Sequence, residues 1–393
     1  MKRLRILQIF NRYLNYGGEE GSVYRIGDAL QNLHEVEYFL SNSSDITGND
    51  LMSRLLLPLR TAYNWQVLQR LDRFQKAGRF DVWQVHNVFP TMSPMVYQRA
   101  FQKGIPVVHY LHNYRLSCVN GFFLNHGQLC QRCVGGDFWP AFRTKCWHES
   151  RAQSGYMGLL LAAVREMGVF ERVSAWVAIS QAQKDVHERM GIPGEKITVV
   201  HHYLDAGEAP PPLSGPGHVL FVGRLSEEKG VRQLLTAWRE VRSSGRKLYI
   251  VGDGPEKKSL ETHAQRLGLD NVVFTGFLSA EGQKELWEQA LFSVVPSVWL
   301  EPFGMTVLEA WRQGRPVIVH DLGALPELVE QGRTGLVVDH ADTGALAAAM
   351  ERLLNHPEEA RVMGLNGRAE LAEKFNREAW LEKMGQVYEN LVQ

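Results

Sequence analysis

The chain has 393 residues, with 43 Lys and Arg balancing 43 Asp and Glu, 45% hydrophobic residues and four cysteines. That length exceeds what one hydrophobic core ordinarily supports, so two domains are expected. A charged fraction of 22% beside ample aliphatic and aromatic residues excludes disorder, a coiled coil or a collagen-like repeat as the main architecture, and a net charge of zero offers no overall basic field to a nucleic acid.

The opening MKRLRILQIF starts like an export signal, basic then apolar, but stops at Asn11 and Arg12 with no small-residue cleavage site following. It reads instead as a first buried strand, Leu4–Phe10. The longest apolar run, around Met157 to Val164, falls far short of the ~18 residues of a membrane span, so a soluble, cytoplasmic protein is expected. A reducing compartment in turn argues against structural disulfides.

Further short apolar runs read as strands at Asp81–His86, Pro106–Leu111, Trp176–Ile179 and Ile197–His201 in the first half. In the second half they fall at His218–Val222, Lys247–Val251, Val272–Thr275, Phe292–Pro296, Pro316–His320 and Gly335–Val338. Helical stretches separate them, the pattern of a parallel sheet covered on both faces. The Pro- and Gly-rich AGEAPPPLSGPG at 206–217 reads as the interdomain linker. The expected fold class is therefore α/β, with two doubly wound domains facing across a cleft. Ligands in such folds bind beyond the carboxyl ends of the strands.

No G-x-G-x-x-G opens either half, and neither a G-x-x-x-x-G-K-[ST] nor a D-x-D is present. A dinucleotide oxidoreductase, a P-loop nucleotidase and a two-aspartate metal–diphosphate site are thus unsupported. Strand HVLFV runs instead into GRLSEEKG, setting Arg224 and Lys229 beside a glycine turn where they can hold a diphosphate without metal. Beyond Phe292–Pro296 comes SVWLEPFGMTVLEAW, in which Glu301 and Glu309 flank a Pro-Phe-Gly turn. With a helix starting near Phe303, the carboxylates lie up to ~12 Å apart, a span suited to the two ends of a sugar nucleotide. The amides of Gly304, Met305 and Thr306 would then point at the phosphates between them.

Together these segments resemble the retaining family-4 glycosyltransferases of the GT-B fold. The resemblance rests on Glu301-Pro302-Phe303-Gly304 through Leu308-Glu309 as an E-x7-E motif, and on FVGRLSEEKG (221–230), VGDGP (251–255), VVFTGFL (272–278), GRPVIVHDLGALPELVEQGRTGLVV (314–338) and VAIS (177–180). In the first half it is carried by Gly17-Gly18 after the first strand and by VVHYLHNYR (107–115). It implies two Rossmann-like domains, 1–205 on the acceptor side and 206–372 on the donor side, with residues 373–393 returning as a helix onto the first. It also implies roles. Arg224 and Lys229 neutralise the donor diphosphate, Glu309 binds the ribose, and Glu301 with the amides of Gly304, Met305 and Thr306 binds the donor. His112 stands at the reaction centre, and Gly17-Gly18 admits the phosphates. Family members retain anomeric configuration and generally need no metal. The expectation is hexosyl transfer from a nucleotide-diphosphate sugar to a glycan, lipid-linked or small-molecule acceptor, as in polysaccharide biosynthesis. A non-catalytic sugar-nucleotide binder and a GT-B-like epimerase are the alternatives. His86 and His109 read as strand residues or supports, and His201-His202-Tyr203 departs from the Asn-Gly turn of many relatives.

Cys118, Cys130, Cys133 and Cys146 cluster in one insertion, 113–150, with Cys130-x2-Cys133 at chelating spacing. A structural zinc, two disulfides and four free thiols are the open readings, with zinc favoured because an insertion poor in apolar residues needs a staple. Charge divides unevenly: 23 basic and 17 acidic residues through Asp205 give +6, and the remaining 20 and 26 give −6. Between residues 51 and 79, Arg54, Arg60, Arg70, Arg73, Lys76 and Arg79 interleave with leucines and Trp65. The ordinary reading is an amphipathic helix packed on the first domain, and the other is peripheral contact with an anionic membrane bearing the acceptor.

Overall fold

The computed structural model describes residues 2–12, 18–42, 58–213, 215–242 and 245–392. Gly17 and positions 51–57 of the basic stretch lie outside them. The strands are β1 (Arg5–Arg12), β2 (Glu35–Asn42), β3 (Val82–Asn87), β4 (Val107–Tyr110), β5 (Leu124–Asn125), β6 (Gln128–Leu129), β7 (Ala175–Ala178), β8 (Ile197–Val199), β9 (His218–Val222), β10 (Leu248–Val251), β11 (Val272–Gly276), β12 (Ala290–Val295), β13 (Val317–His320) and β14 (Gly335–Val338). They form two parallel six-stranded sheets, ordered β2-β1-β3-β4-β7-β8 and β11-β10-β9-β12-β13-β14, plus the β5-β6 hairpin. The α/β architecture of two doubly wound parallel sheets is the one expected.

β2 is the strand that apolar runs did not reveal. Its sequence EVEYFLSN alternates in exposure over its first half because it forms the sheet edge, pairing among the described residues only with β1, from Arg5↔Glu35 to Arg12↔Asn42. Edge strands keep one side wet, so they carry no continuous apolar signal. Central strands do: β3 and β12 are buried at every position.

One apolar cluster joins the halves. It runs from Leu4, Ile6 and Ile26 to Val307, Leu308 and Trp311, and takes in Trp380 and Tyr388 from the last helix, Arg377–Val392. That helix lies on the first sheet, where Trp380 Nε1 donates to Tyr110 Oη at 3.3 Å and the Tyr388 hydroxyl donates to Gln84 Oε1. Burying one large apolar side chain is worth about 2–3 kcal/mol, so this return segment ties the two halves together. The crossover is pinned as well. Arg368 donates to the carbonyls of Ala206 and Gly207, both at 2.8 Å.

The helix Trp65–Gly78 is capped by Asn64, whose side chain accepts from Val67 N, and buries Val67, Leu68 and Leu71 in the first domain. Trp65 stays 58% exposed and the preceding Leu59 67% exposed. Among the described residues, no helix is long and apolar enough to cross a membrane.

Candidate active site

The second domain builds its side of the cleft from the loops after β9 and β12. Gly230 has φ +69°, and a Cβ there would stand 1.7 Å from the Pro296 carbonyl oxygen, so glycine permits the two loops to touch. This contact brings Lys229 to Glu301, with Nζ 2.8 Å from Oε2 and 3.2 Å from Oε1. Glu301 Oε2 also accepts from Ser297 Oγ at 2.8 Å and Trp299 Nε1 at 3.0 Å, and the Glu301 carbonyl accepts from Ala324 N at 2.9 Å. A carboxylate with three side-chain donors and a fixed backbone is preorganised, and charge-assisted bonds of this kind are the strong ones. Arg224 stands exposed at the mouth of the same loop.

Gly304 adopts φ +108° and ends the irregular turn, so the following helix runs from Met305 to Arg312. It begins later than expected. Glu301 precedes the helix, as expected, and Glu309 lies about one turn into it rather than nearly two. The left-handed backbone of Gly304 is the cause. Thr306 Oγ1 lies 3.5 Å from the Val222 carbonyl, so the helix start faces the end of β9. Glu309 is partly buried, and burial raises its pKa while Arg25 and Arg312 pull the other way. Arg25 reaches over from the first domain, its Nη1 3.8 Å from Met305 Sδ.

Opposite stands His112, just beyond β4. It stacks on His86 and Tyr110 with centroids 5.0 and 4.9 Å away and on His202 at 5.9 Å, while His202 meets Phe303 edge-on at 5.3 Å. His202 thus carries the stack from the first domain to the Pro-Phe-Gly turn. Burial lowers the His112 pKa to about 3, which keeps the ring neutral. Asn113 Nδ2 donates to Glu19 Oε2 at 2.8 Å, setting the start of the helix Gly18–Leu30, and with it Gly18, next to this loop. His109 is a buried strand residue bonded to Tyr97 Oη at 2.9 Å.

Two further contacts cross between domains. Ser180 Oγ donates to the Pro302 carbonyl at 2.8 Å, and Glu327 accepts from the amides of Gln181 and Ala182, at the N-terminus of the helix Gln181–Arg189, and bonds His201 Nε2 at 2.8 Å. Sequence reading left out Glu327, Trp299, His202 and Arg25. For the first three the available signals were PELVE beside the departure at His201-His202, and an indole two residues before Glu301. Arg25 gave none beyond its place on the first helix.

The four cysteines are reduced and line one small void with Phe123, Leu124 and Ala141. Burial pushes Cys133 and Cys146 up to about 12. Among the described residues the three ligating groups found within 4.8 Å of one another are the side chains of Asp321, Asp339 and His340, so the thiols ring the void without converging to bonding distance. Cys118 packs with Tyr114, Phe123 and Trp299, and Phe122 meets the Trp299 ring edge-on at 5.3 Å. The insertion therefore abuts the indole that holds Glu301.

Residues 16–208 match the family model Glycosyltransferase Family 4, and residues 209–370 match Glycosyl transferases group 1. The chain belongs to the GT-B glycosyltransferases. This GT-B chain is similar over 176 residues to the alpha-D-kanosaminyltransferase of Streptomyces kanamyceticus, 35% identical, covering 44% of this chain and 45% of that protein. It is 30% identical over 252 residues to the glycogen synthase of Mycobacterium tuberculosis, covering 62% and 61% respectively. The chain thus spans about half the length of the curated relatives it matches. Among solved structures, the sucrose-phosphate synthase of Thermosynechococcus elongatus superposes with a TM-score of 0.73 at 21% identity, covering 99% of each chain. Anabaena HepE in complex with UDP gives 0.71 at 19% identity, covering 98% of this chain and 100% of that one. These two likenesses concern the fold.

Proposed function

We propose that the protein is a retaining glycosyltransferase that moves a hexosyl group from a nucleotide-diphosphate sugar to a carbohydrate or lipid-linked acceptor without catalytic metal. The observation that carries this reading is the Lys229–Glu301 pair beside the Gly304 turn, opposite neutral His112. Arg224 and Lys229 receive the diphosphate, the amides of Gly304, Met305 and Thr306 meet its oxygens, Glu309 takes the ribose hydroxyls and Glu301 those of the donor sugar. Gly17 and Gly18 form the first domain's side of the phosphate site. The bond from the anomeric carbon to the diphosphate oxygen breaks, and the acceptor oxygen bonds that carbon on the same face. The acceptor's proton passes to the leaving phosphate. No covalent nucleophile is required. Rate enhancement comes from positioning and from stabilising the developing diphosphate charge. HepE, whose fold this chain shares, was solved with UDP and with UDP-glucose, which favours a uridine donor for the first trials.

A thermal-shift screen of UDP-, GDP- and ADP-sugars followed by product analysis tests this, since a ligand that binds the folded state raises its melting point. Turnover with an α-configured product from an α-configured donor is expected. An inverted product overturns the retaining assignment, and binding with no turnover on any acceptor identifies a non-catalytic binder.

We further propose that Cys118, Cys130, Cys133 and Cys146 hold a structural zinc, closing inward on the void they line. Four-thiolate sites of this kind are closed and add folding energy outright. Exposed Leu59, Tyr63 and Trp65, at 67%, 52% and 58%, support peripheral contact with an anionic membrane, which vesicle flotation tests.

A further inference from the structure

His86 is buried at the centre of a hydrogen-bonded chain that no step of the proposed transfer uses. Its Nδ1 lies 2.8 Å from His112 Nε2, and its Nε2 contacts Gln8 Oε1. Gln84 Nε2 donates to the same Gln8 oxygen at 3.2 Å, and Gln84 Oε1 accepts from the Tyr388 hydroxyl on the last helix. All four supporting residues, Gln8, Gln84, His86 and Tyr388, are at most 3% exposed.

With the Gln8 and Gln84 amides in the orientation the structure gives them, the proton inventory of this chain has one solution, in which the Gln84 NH2, 3.3 Å from His86 Nε2, shares the Gln8 oxygen with that ring nitrogen. Gln8 Oε1 has only lone pairs, so a bare His86 Nε2 against it would set acceptor on acceptor; His86 must carry its proton on Nε2. Burial holds His86 well below its ordinary pKa, so the ring is neutral and its Nδ1 is bare. His86 Nδ1 can then only accept, and His112 Nε2–H donates to it. His112 is neutral too, which leaves its own Nδ1 bare. Among the described residues no side chain or backbone group bonds that nitrogen, and His112, unlike His86, is only partly buried. Turning the Gln8 amide over gives the opposite arrangement, with both amide NH2 groups aimed at a bare His86 Nε2, which Gln84 Nε2 approaches to 3.3 Å, and with the proton on Nδ1 of both rings, so the measured tautomer separates the two. Turning both would leave the Tyr388 hydroxyl proton without its one acceptor.

We infer that Gln8, Gln84 and Tyr388, acting through His86, lock His112 as the Nε2–H tautomer, so that His112 offers Nδ1 to the cleft as a hydrogen-bond acceptor for a substrate hydroxyl. This rests on the placement of His112 at the reaction centre given above. His86 and Gln8 are positioning residues. Their function is to decide which nitrogen meets the substrate, a choice that a free imidazole leaves open.

The test is 15N NMR of histidine-labelled wild-type protein, with the His112 signals assigned by their loss in His112→Asn. A protonated Nε2 and a bare Nδ1 are expected at neutral pH. A protonated Nδ1, or a mixture of tautomers, overturns the inference. Gln8→Leu removes the acceptor and is expected to mix the His112 tautomers and lower kcat on the order of 10-fold with donor KM little changed. Gln8→Glu, which keeps an oxygen facing His86, is expected to restore the tautomer and most of kcat. Tyr388→Phe gives a second, milder perturbation should Gln8→Leu not fold. A shifted tautomer with unchanged kcat overturns the catalytic part of the inference. The NMR result is independent of turnover, so a protein without transferase activity but with the expected tautomer would sink the functional proposal and leave the hydrogen-bond chain standing.

Discussion

Lys229 Nζ lies 2.8 Å from Glu301 Oε2, joining a cation from the loop after β9 to a carboxylate from the loop after β12. Glu301 holds the Lys229 ammonium through both of its carboxylate oxygens. Glu301→Gln replaces one acceptor oxygen with an NH2, so Lys229 or the Trp299 indole loses its partner. An orphaned donor of that kind costs about 1–3 kcal/mol. If Glu301 binds the donor sugar, kcat/KM should fall ~10²–10³-fold, the range seen for lost transition-state donors and acceptors. Steady-state transfer assays with a parallel thermal melt check this. Activity within twofold of wild type would remove Glu301 from the site.

Glu327 reaches from the second domain to the amides of Gln181 and Ala182 in the first, and to His201. Burial pushes its pKa up, but the His201 bond and the two amides outweigh it and hold the carboxyl below its ordinary value. The folded value is below the unfolded one, so this stabilisation is complete above the unfolded pKa, near 4.5, and disappears as pH falls through the folded value. Glu327→Gln should therefore cost about 1 kcal/mol at pH 7, as for a lost helix cap, and less at pH 3. Denaturant melts of both proteins at the two pH values decide it. An equal difference at both would show that the carboxylate's charge is not the cause.

The central strands were legible because residues such as those of β3 and β12 are buried on both faces and read as short, mainly apolar runs. The glutamate motif was legible because Gly304 and Pro302 interrupt an otherwise helical stretch between two strands. β2 was hidden by its edge position, where Glu35 and Glu37 face water. Glu327 and His202 were hidden for a different reason: each acts on a residue of the other domain, 120 or more positions away in the case of Glu327 and His201, and no local periodicity encodes such a pairing. Gln8 and Gln84 were harder still. A glutamine in an apolar strand reveals neither which face it is on nor which partner it finds there.

The cysteine void carries a direct prediction. Protein purified without chelator should contain about one zinc per chain, since four thiolates complete a tetrahedral shell. Cys133→Ser should lose the metal and lower the melting temperature. Because Phe122 packs edge-on against Trp299, the same variant should weaken donor binding through Glu301. Metal analysis alone is decisive, and two disulfides or four titratable thiols with no zinc would exclude the site.

His187 is fully buried, stacks on Tyr114 with centroids 5.6 Å apart, and donates Nδ1–H to the Gln183 carbonyl at 2.9 Å. Burial lowers its pKa to about 4 from an ordinary 6.5. The unfolded chain therefore binds a proton that the folded chain refuses between those values, so stability is lost as pH falls below 6.5 and the loss levels off near 4. One such histidine accounts for up to about 1.4 kcal/mol per pH unit within that window. His109, also buried and also held below its ordinary value, adds to the same slope. The melting temperature should consequently drop steeply between pH 6.5 and 4.5. His187→Phe keeps the ring stack and removes the proton site, so it should flatten that drop while leaving a fixed cost at pH 8 for the lost bond to Gln183. Melts at half-unit pH intervals measure both. An unchanged acid slope in the variant would mean that His187 titrates normally in the folded protein and that Tyr114 leaves it open to water.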